Sequence, residues 1–475
     1  MDTIEPYPGR AVFPSSRRAG AGGRSRRERL AIVSTTNRLC GIAAYTASLH
    51  KQLSSVFDVT VFDLDQYLLR GRQDRLRKLG DRHIKEICRE LRRFDAVNLQ
   101  LEYGTLGRSP KDIYRRFCWL LAAAPRLSVT FHTLLPPPRF SPADFARKLI
   151  TGHFRTALRL VGERRRSRIL SAMVAARLRH AQHVKQIAAI VHTRHDLKEV
   201  RYLYGLDNVF DHPLAFLTAE EAAIARRRSG RRNFPLLDRV AGDAVLTGVF
   251  GFLNDYKGVE TAIQALRHLS EDHHLLIFGG IHPNEIRMHT PIHPYLSKLF
   301  DNARVDATPY DRIGKAPLEL ALDAKHGLTE LLGPDPGDLS ERIHFMGVPD
   351  NEEFLSGMVS CDVVVFPYLE VGQSASGPIS QALELGCRVI ASRTHTFLGL
   401  ADYHPGAIEF FEIGNHLELA DRIAARRQYP QRDGLPRFNV ETNTAAYLAA
   451  NSKLAARRTR SARIRVDPAR ASAGP

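Results

Sequence analysis

Short apolar runs bounded by turn residues recur along the first half of the chain: Leu30–Ser34, Val59–Phe62, Ala96–Leu101, Leu127–Phe131 and Ala188–Val191. Each has the length and the Val, Ile, Leu and Phe content of a strand buried on both faces. Helical periodicity lies between them, first over Ile42–Leu53 after a turn at Asn37–Gly41. Strands alternating with helices predict a parallel sheet covered on both sides. The polar, basic stretch Ala219–Arg239 breaks the rhythm, which then restarts. Val245–Phe252 reads as a strand and Val259–Leu269 as a helix; Leu275–Phe278, Ile343–Phe345, Val363–Phe366 and Val389–Ala391 read as further strands. Glycines follow most of these strands, as tight strand-to-helix turns require. The segment 283–340 has little periodicity and reads as an insertion, and Glu441–Leu454 reads as a last helix.

A chain of 475 residues suits two domains plus tails. The fold class expected is α/β, with two facing Rossmann-like doubly wound domains and a cleft between their carboxyl-end loops, where ligands of such sheets bind. The division expected is a basic disordered tail over 1–29, a first domain over 30–218, a linker over 219–243, a second domain over 244–436, a helix over 437–455 packing back on the first domain, and a basic disordered tail over 456–475.

Composition adjusts this picture in a few places. A hydrophobic fraction of 44% fills two cores and excludes a disordered chain. No apolar run approaches the roughly 18–20 residues that cross a bilayer. Residues 1–29 are rich in Arg, Gly and Ser, so a signal peptide is not expected. Cys40, Cys88, Cys118, Cys361 and Cys387 lack metal or disulfide spacing, which favours a reduced, cytoplasmic setting. The net charge of +17 is gathered in patches, among them Arg155–Arg179, where arginines interleave with Leu158, Leu160, Val161, Ile169, Leu170 and Met173. Such a helix either lies on an anionic membrane or packs its apolar face on a core. Nucleic acid is not the expected partner, because no helix-turn-helix, zinc or stacking-aromatic pattern accompanies the charge.

Three features of the second half converge on phosphate binding. Lys257-Gly258 precedes a helix, and its charge adds to the partial positive charge of free helical N–H groups. Ser376-Gly377-Pro378 opens another helix: Ser376 suits the cap, Gly377 lets a phosphate reach the backbone, and Pro378 has no N–H to lose. Gly279-Gly280 ends a strand where a base can lie against bare backbone.

These residues resemble the retaining GT-B glycosyltransferases of family 4. Phe250-Gly251-Phe252-Leu253-Asn254-Asp255-Tyr256-Lys257-Gly258 looks like that family's donor-phosphate lysine region. The series runs on through Leu275–Gly280, Ile343–Val348 with Glu353-Phe354, and Cys361–Tyr368 to Gln373–Gly377 and Ala382–Ser392. In the first half the likeness is looser, over Cys40–Thr46, Gln100–Gly104 and Thr130–Thr133. The resemblance implies a nucleotide-sugar donor held by the second domain and an acceptor, glycan or lipid-linked, held by the first. It places His132 near the transferred sugar and makes Lys257 and Gln373 catalytic. Gly41, Gly279, Gly280, Glu370, Ser374, Ser376, Gly377 and Gln381 join Lys257 in binding the donor.

It also implies retention of configuration, with no cofactor and no metal. The Asp63-Leu64-Asp65 triplet, which mimics the metal motif of another glycosyltransferase fold, reads as a loop. Two departures stand out. Gln373 and Gln381 occupy positions where the family commonly has glutamates, and Phe252 stands where an arginine often precedes the lysine. Glutamine keeps hydrogen bonding but not charge, so a catalytically idle nucleotide-sugar-binding protein is the alternative, with a nucleotide-sugar epimerase behind it. Arg38 is a candidate to share the diphosphate charge.

Overall fold

The computed structural model describes residues 26–36, 41–134, 169–281, 292–304, 338–370, 375–425 and 436–453, together with the backbone of 11–13. The chain divides into two compact units, and each is described separately.

The first unit holds seven strands: β1 (Ala11–Phe13), β2 (Arg29–Ser34), β3 (Asp58–Asp63), β4 (Ala96–Leu101), β5 (Leu127–Phe131), β6 (Ile187–Val191) and β7 (Val209–Asp211). Their order is β1-β3-β2-β4-β5-β6-β7, and all are parallel except β1, which pairs antiparallel with β3. The stretch read as a disordered tail thus contributes an edge strand. One face of the sheet carries the apolar core, with Ala31, Val33, Val97, Leu99, Leu101, Val129, Phe131 and Val191 packed against Ile84, Phe117 and Leu120. On the other face β4 and β5 place Asn98, Gln100, Ser128 and Thr130, all buried. Alternation along a strand sends these polar residues to one side and the aliphatic ones to the other. The helix Val440–Asn451 belongs to this unit and covers that polar face.

The helix over 169–181 buries Leu170, Val174 and Leu178, residues on one helical face, in the apolar core. Ile169 and Met173 are exposed. The remainder of Arg155–Arg179 lies outside the described residues.

The second unit is a six-stranded parallel sheet of β8 (Val245–Phe250), β9 (His273–Phe278), β10 (Ile343–Gly347), β11 (Val363–Phe366), β12 (Val389–Ser392) and β13 (Ile408–Phe411). Its order is β10-β9-β8-β11-β12-β13, so the strand order reverses between β8 and β11. This unit already begins at Ala215. The stretch expected to be a linker contains the helix Ala219–Arg228, started by a capping box in which Thr218 and Glu221 satisfy each other's backbone N–H groups. Its weak amphipathicity hid it: only Ala222 is buried, while Glu220 and Arg226–Arg228 sit at the ends where the helix dipole favours their charges. Of the insertion-like region, the helix Pro294–Arg304 is described, and its Tyr295 hydroxyl donates to Glu260 at 2.8 Å.

Candidate functional site

In an open parallel sheet, the strand ends at a reversal of order splay their loops apart and leave a crevice. In the second unit that point lies between β8 and β11, and the residues following these two strands meet there. Lys257 ends a short helical turn after β8 and is 7% exposed. Its ammonium donates to the hydroxyl of Tyr368, just beyond β11, and lies 3.8 Å from that ring's centre and 5.1 Å from the ring of Tyr256. Among the described residues no carboxylate pairs with it, and burial pushes its pKa down to about 7. The Tyr368 hydroxyl lies 3.3 Å from Ser376 Oγ. Burial raises the Tyr368 pKa as well, so it stays protonated.

Ser376 stands at the cap of the helix Gly377–Glu384, but its side chain bonds none of the helix amides. The start of that helix therefore keeps free N–H groups. A Cβ at Gly377 would sit 3.1 Å from the ring of Phe216, a tight contact that the ring must give way to accommodate. Gly251 has φ 117°, and a Cβ there would meet Lys257 Nζ at 3.3 Å and Pro378 Cγ at 3.8 Å. The lysine, the bare glycine and the helix start are thereby brought together. Gly279 backs Gly251 so closely that a Cβ would lie 1.9 Å from the Gly251 carbonyl oxygen. Gly280 accepts from Leu253 N at 2.9 Å, and its own missing Cβ is replaced by Val348.

Further residues expected at this site are placed as follows. A Glu370 carboxylate oxygen accepts from His395 N at 2.7 Å, where the helix His395–Ala401 begins. Gln381 is buried along Gly377–Glu384. Gln373, Ser374 and Arg38 lie outside the described residues. Glu384, at the end of the same helix, is buried and accepts from Phe216 N at 2.8 Å and Leu217 N at 3.2 Å; burial raises its carboxyl pKa to about 8.

In the first unit, His132 follows β5. Its Nε2 is 2.7 Å from Gln100 Oε1, and its ring centre is 5.4 Å from that of His192 and 5.8 Å from that of Tyr45. Burial, and then the neighbouring His192, lower the His132 pKa to about 3, so it is neutral at physiological pH. Gly41 opens the helix Gly41–Leu53, with nothing within 4 Å of where a Cβ would sit. Asp63 accepts from the backbone N–H and hydroxyl of Thr36, and Asp65 caps the helix Gln66–Leu69, so both acids have structural partners.

Sequence reasoning missed Tyr368 as the partner of Lys257 and Gln100 as that of His132. For Gln100 a signal existed: polar residues at every second position of two otherwise apolar strands mark one face reserved for hydrogen bonding. For Tyr368 there was none, because an aromatic residue after a strand ordinarily reads as core.

No protein-family model and no curated protein sequence matches the chain. Solved structures do, and with them the fold is GT-B: α/β, built of two Rossmann-like units. A UDP-forming α,α-trehalose-phosphate synthase from Burkholderia xenovorans superposes with TM-score 0.54 at 13% identity, over 90% of this chain and 99% of that one. The sucrose-phosphate synthase of Thermosynechococcus elongatus gives 0.51 at 15% identity, over 92% and 98%. The HepE protein of Anabaena, in complex with UDP and glucose, gives 0.50 at 14% identity, over 91% and 100%.

Proposed function

We propose that the protein is a glycosyltransferase that takes a sugar from a nucleotide-sugar donor, and that Lys257 with the start of Gly377–Glu384 holds the donor's diphosphate. The observation that carries this reading is a buried ammonium with no acid beside it among the described residues, set against a helix start that the Ser376 side chain does not cap. A buried unpaired charge is costly, and a diphosphate supplies the missing counter-charge. In the reaction these groups stabilise the leaving diphosphate as negative charge develops on it, which preorganised donors do well. The donor base lies along Gly279-Gly280, and Gln381 with Gln373 replaces the usual carboxylates at ribose and sugar. His132, neutral, contacts the transferred sugar.

Retention of configuration, independence of metal, kinship with family 4 and a glycan or lipid-linked acceptor belong to the same proposal, supported by the ordered motif series. The HepE and trehalose-phosphate synthase structures are associated with UDP, which makes UDP and UDP-glucose the first probes. Thermal unfolding with millimolar UDP, GDP and ADP tests the reading. A nucleotide at about 100 times its dissociation constant stabilises by about 2.7 kcal/mol, and Lys257→Ala should abolish that shift. Stabilisation by none of the three would overturn it; binding without hydrolysis or transfer would favour the idle alternative.

Among the described residues no helix is long and apolar enough to cross a membrane. The scattered cysteines support a cytoplasmic protein, and the basic patches support work at an anionic membrane face. Salt-sensitive co-sedimentation with phosphatidylglycerol vesicles is the expected result, and its absence would remove the membrane from the proposal.

A further inference from the structure

The polar face under the helix Val440–Asn451 is a chain of hydrogen bonds with a direction. Asn451 Nδ2 lies 2.9 Å from the backbone carbonyl of Tyr447, which can only accept. Asn451 Oδ1 is therefore the free acceptor, and the Ser128 hydroxyl at 2.8 Å must donate to it. With its proton committed, Ser128 Oγ accepts from Asn98 Nδ2 at 2.8 Å. Asn98 Oδ1 then faces Gln100 Nε2 at 2.5 Å, and the same Gln100 nitrogen reaches Thr130 Oγ1 at 3.3 Å and the Tyr447 hydroxyl at 3.4 Å. Gln100 Oε1 is thus the atom turned to His132, and the His132 nitrogen facing it at 2.7 Å must carry the proton. Nothing along this path is free to flip without placing two donors or two acceptors face to face in a buried site.

We infer that this relay, anchored on the carbonyl of Tyr447, fixes His132 as the Nε2–H tautomer and presents its Nδ1 as a bare acceptor. Gln100, Asn98 and Asn451 are then positioning residues. The last helix does more than cover a sheet: it sets which atom of a distant imidazole can receive a proton or a sugar hydroxyl. The use made of Nδ1 rests on the function proposed above, whereas the tautomer does not. The carboxyl-terminal segment thereby becomes a determinant of chemistry on a residue more than 300 positions earlier, as the 323-residue separation of Ser128 and Asn451 shows.

Histidine-¹⁵N spectra of the full chain test the relay, with the His132 signals identified by their loss in His132→Asn. The wild type should show His132 neutral, protonated at Nε2 alone, from pH 5 upward. Gln100→Glu places a carboxylate against the ring and should raise the His132 titration midpoint by about 1–3 pH units. Asn451→Ala removes the anchor and should give a mixture of tautomers. A wild-type Nδ1–H tautomer, an unmoved midpoint in Gln100→Glu, or one unmixed tautomer in Asn451→Ala would each overturn the relay. If Asn451→Ala does not fold, the wild-type spectrum and Gln100→Glu decide. Binding of UDP, followed by thermal shift in the same samples, reports on the donor site separately, so failure of one proposal is distinguishable from failure of the other.

Discussion

Replacing Lys257 by methionine separates a residue kept for ligand from one kept for stability. The wild-type ammonium is buried beside Tyr368 with no carboxylate among the described residues, and burial pushes its pKa down to about 7 in the folded protein against an ordinary value of 10.5. Below pH 7 the lysine is charged in both folded and unfolded chains, and a difference of this size corresponds to a destabilisation of about 5 kcal/mol. Between pH 7 and 10.5 the unfolded chain binds more protons than the folded one, so stability rises with pH through that window and the penalty fades. Methionine has a similar length and no charge. Lys257→Met should therefore melt higher than wild type at pH 6.5, with the advantage shrinking steadily towards pH 10. Adding UDP should reverse the order, stabilising wild type and leaving the variant unmoved. Thermal unfolding at a series of pH values, with and without millimolar UDP, measures both effects. A variant that melts lower than wild type at pH 6.5, with a difference independent of pH, would refute the reasoning.

Further outcomes follow from the same geometry. Gly251→Ala forces a side chain into a φ of 117° against Lys257 Nζ, and should cost roughly 1–2 kcal/mol while weakening UDP binding in a titration. Gly279→Ala would drive a Cβ into the Gly251 carbonyl and should lower the melting temperature more than Gly251→Ala does. Glu384→Ala strips the acceptor from Phe216 N and Leu217 N and should cost about 2–5 kcal/mol in denaturant unfolding. Tyr447→Phe removes the hydroxyl that meets Thr130 at 2.9 Å and should cost about 1 kcal/mol, with UDP binding unchanged.

The period of the apolar runs was sufficient by itself to show the α/β class, the restart of the pattern after residue 243 and most of the strands, because strands buried on both faces leave a continuous apolar signature whatever surrounds them. The helix start at Ser376-Gly377-Pro378 was legible too, since glycine, proline and a cap residue at a helix start are local requirements, and the proposal that it holds phosphate with Lys257 begins there. What depended on distant partners was not legible. The helix Ala219–Arg228 looked like linker because its capping box, not an apolar face, marks it. The hydrogen bond that Glu370 accepts from the backbone of His395 was not legible either, since the two residues lie on different loops. The burial of Lys257 against Tyr368 joins the loops of two strands that are neighbours only through the sheet's reversal of order. The orientation of His132 is settled by a carbonyl on the last helix, through amide and hydroxyl groups whose direction no single residue determines. Propensity and periodicity act over a few residues and are written in the sequence. Desolvation and the direction of a buried hydrogen bond depend on every neighbour at once, and only the tertiary structure supplies them.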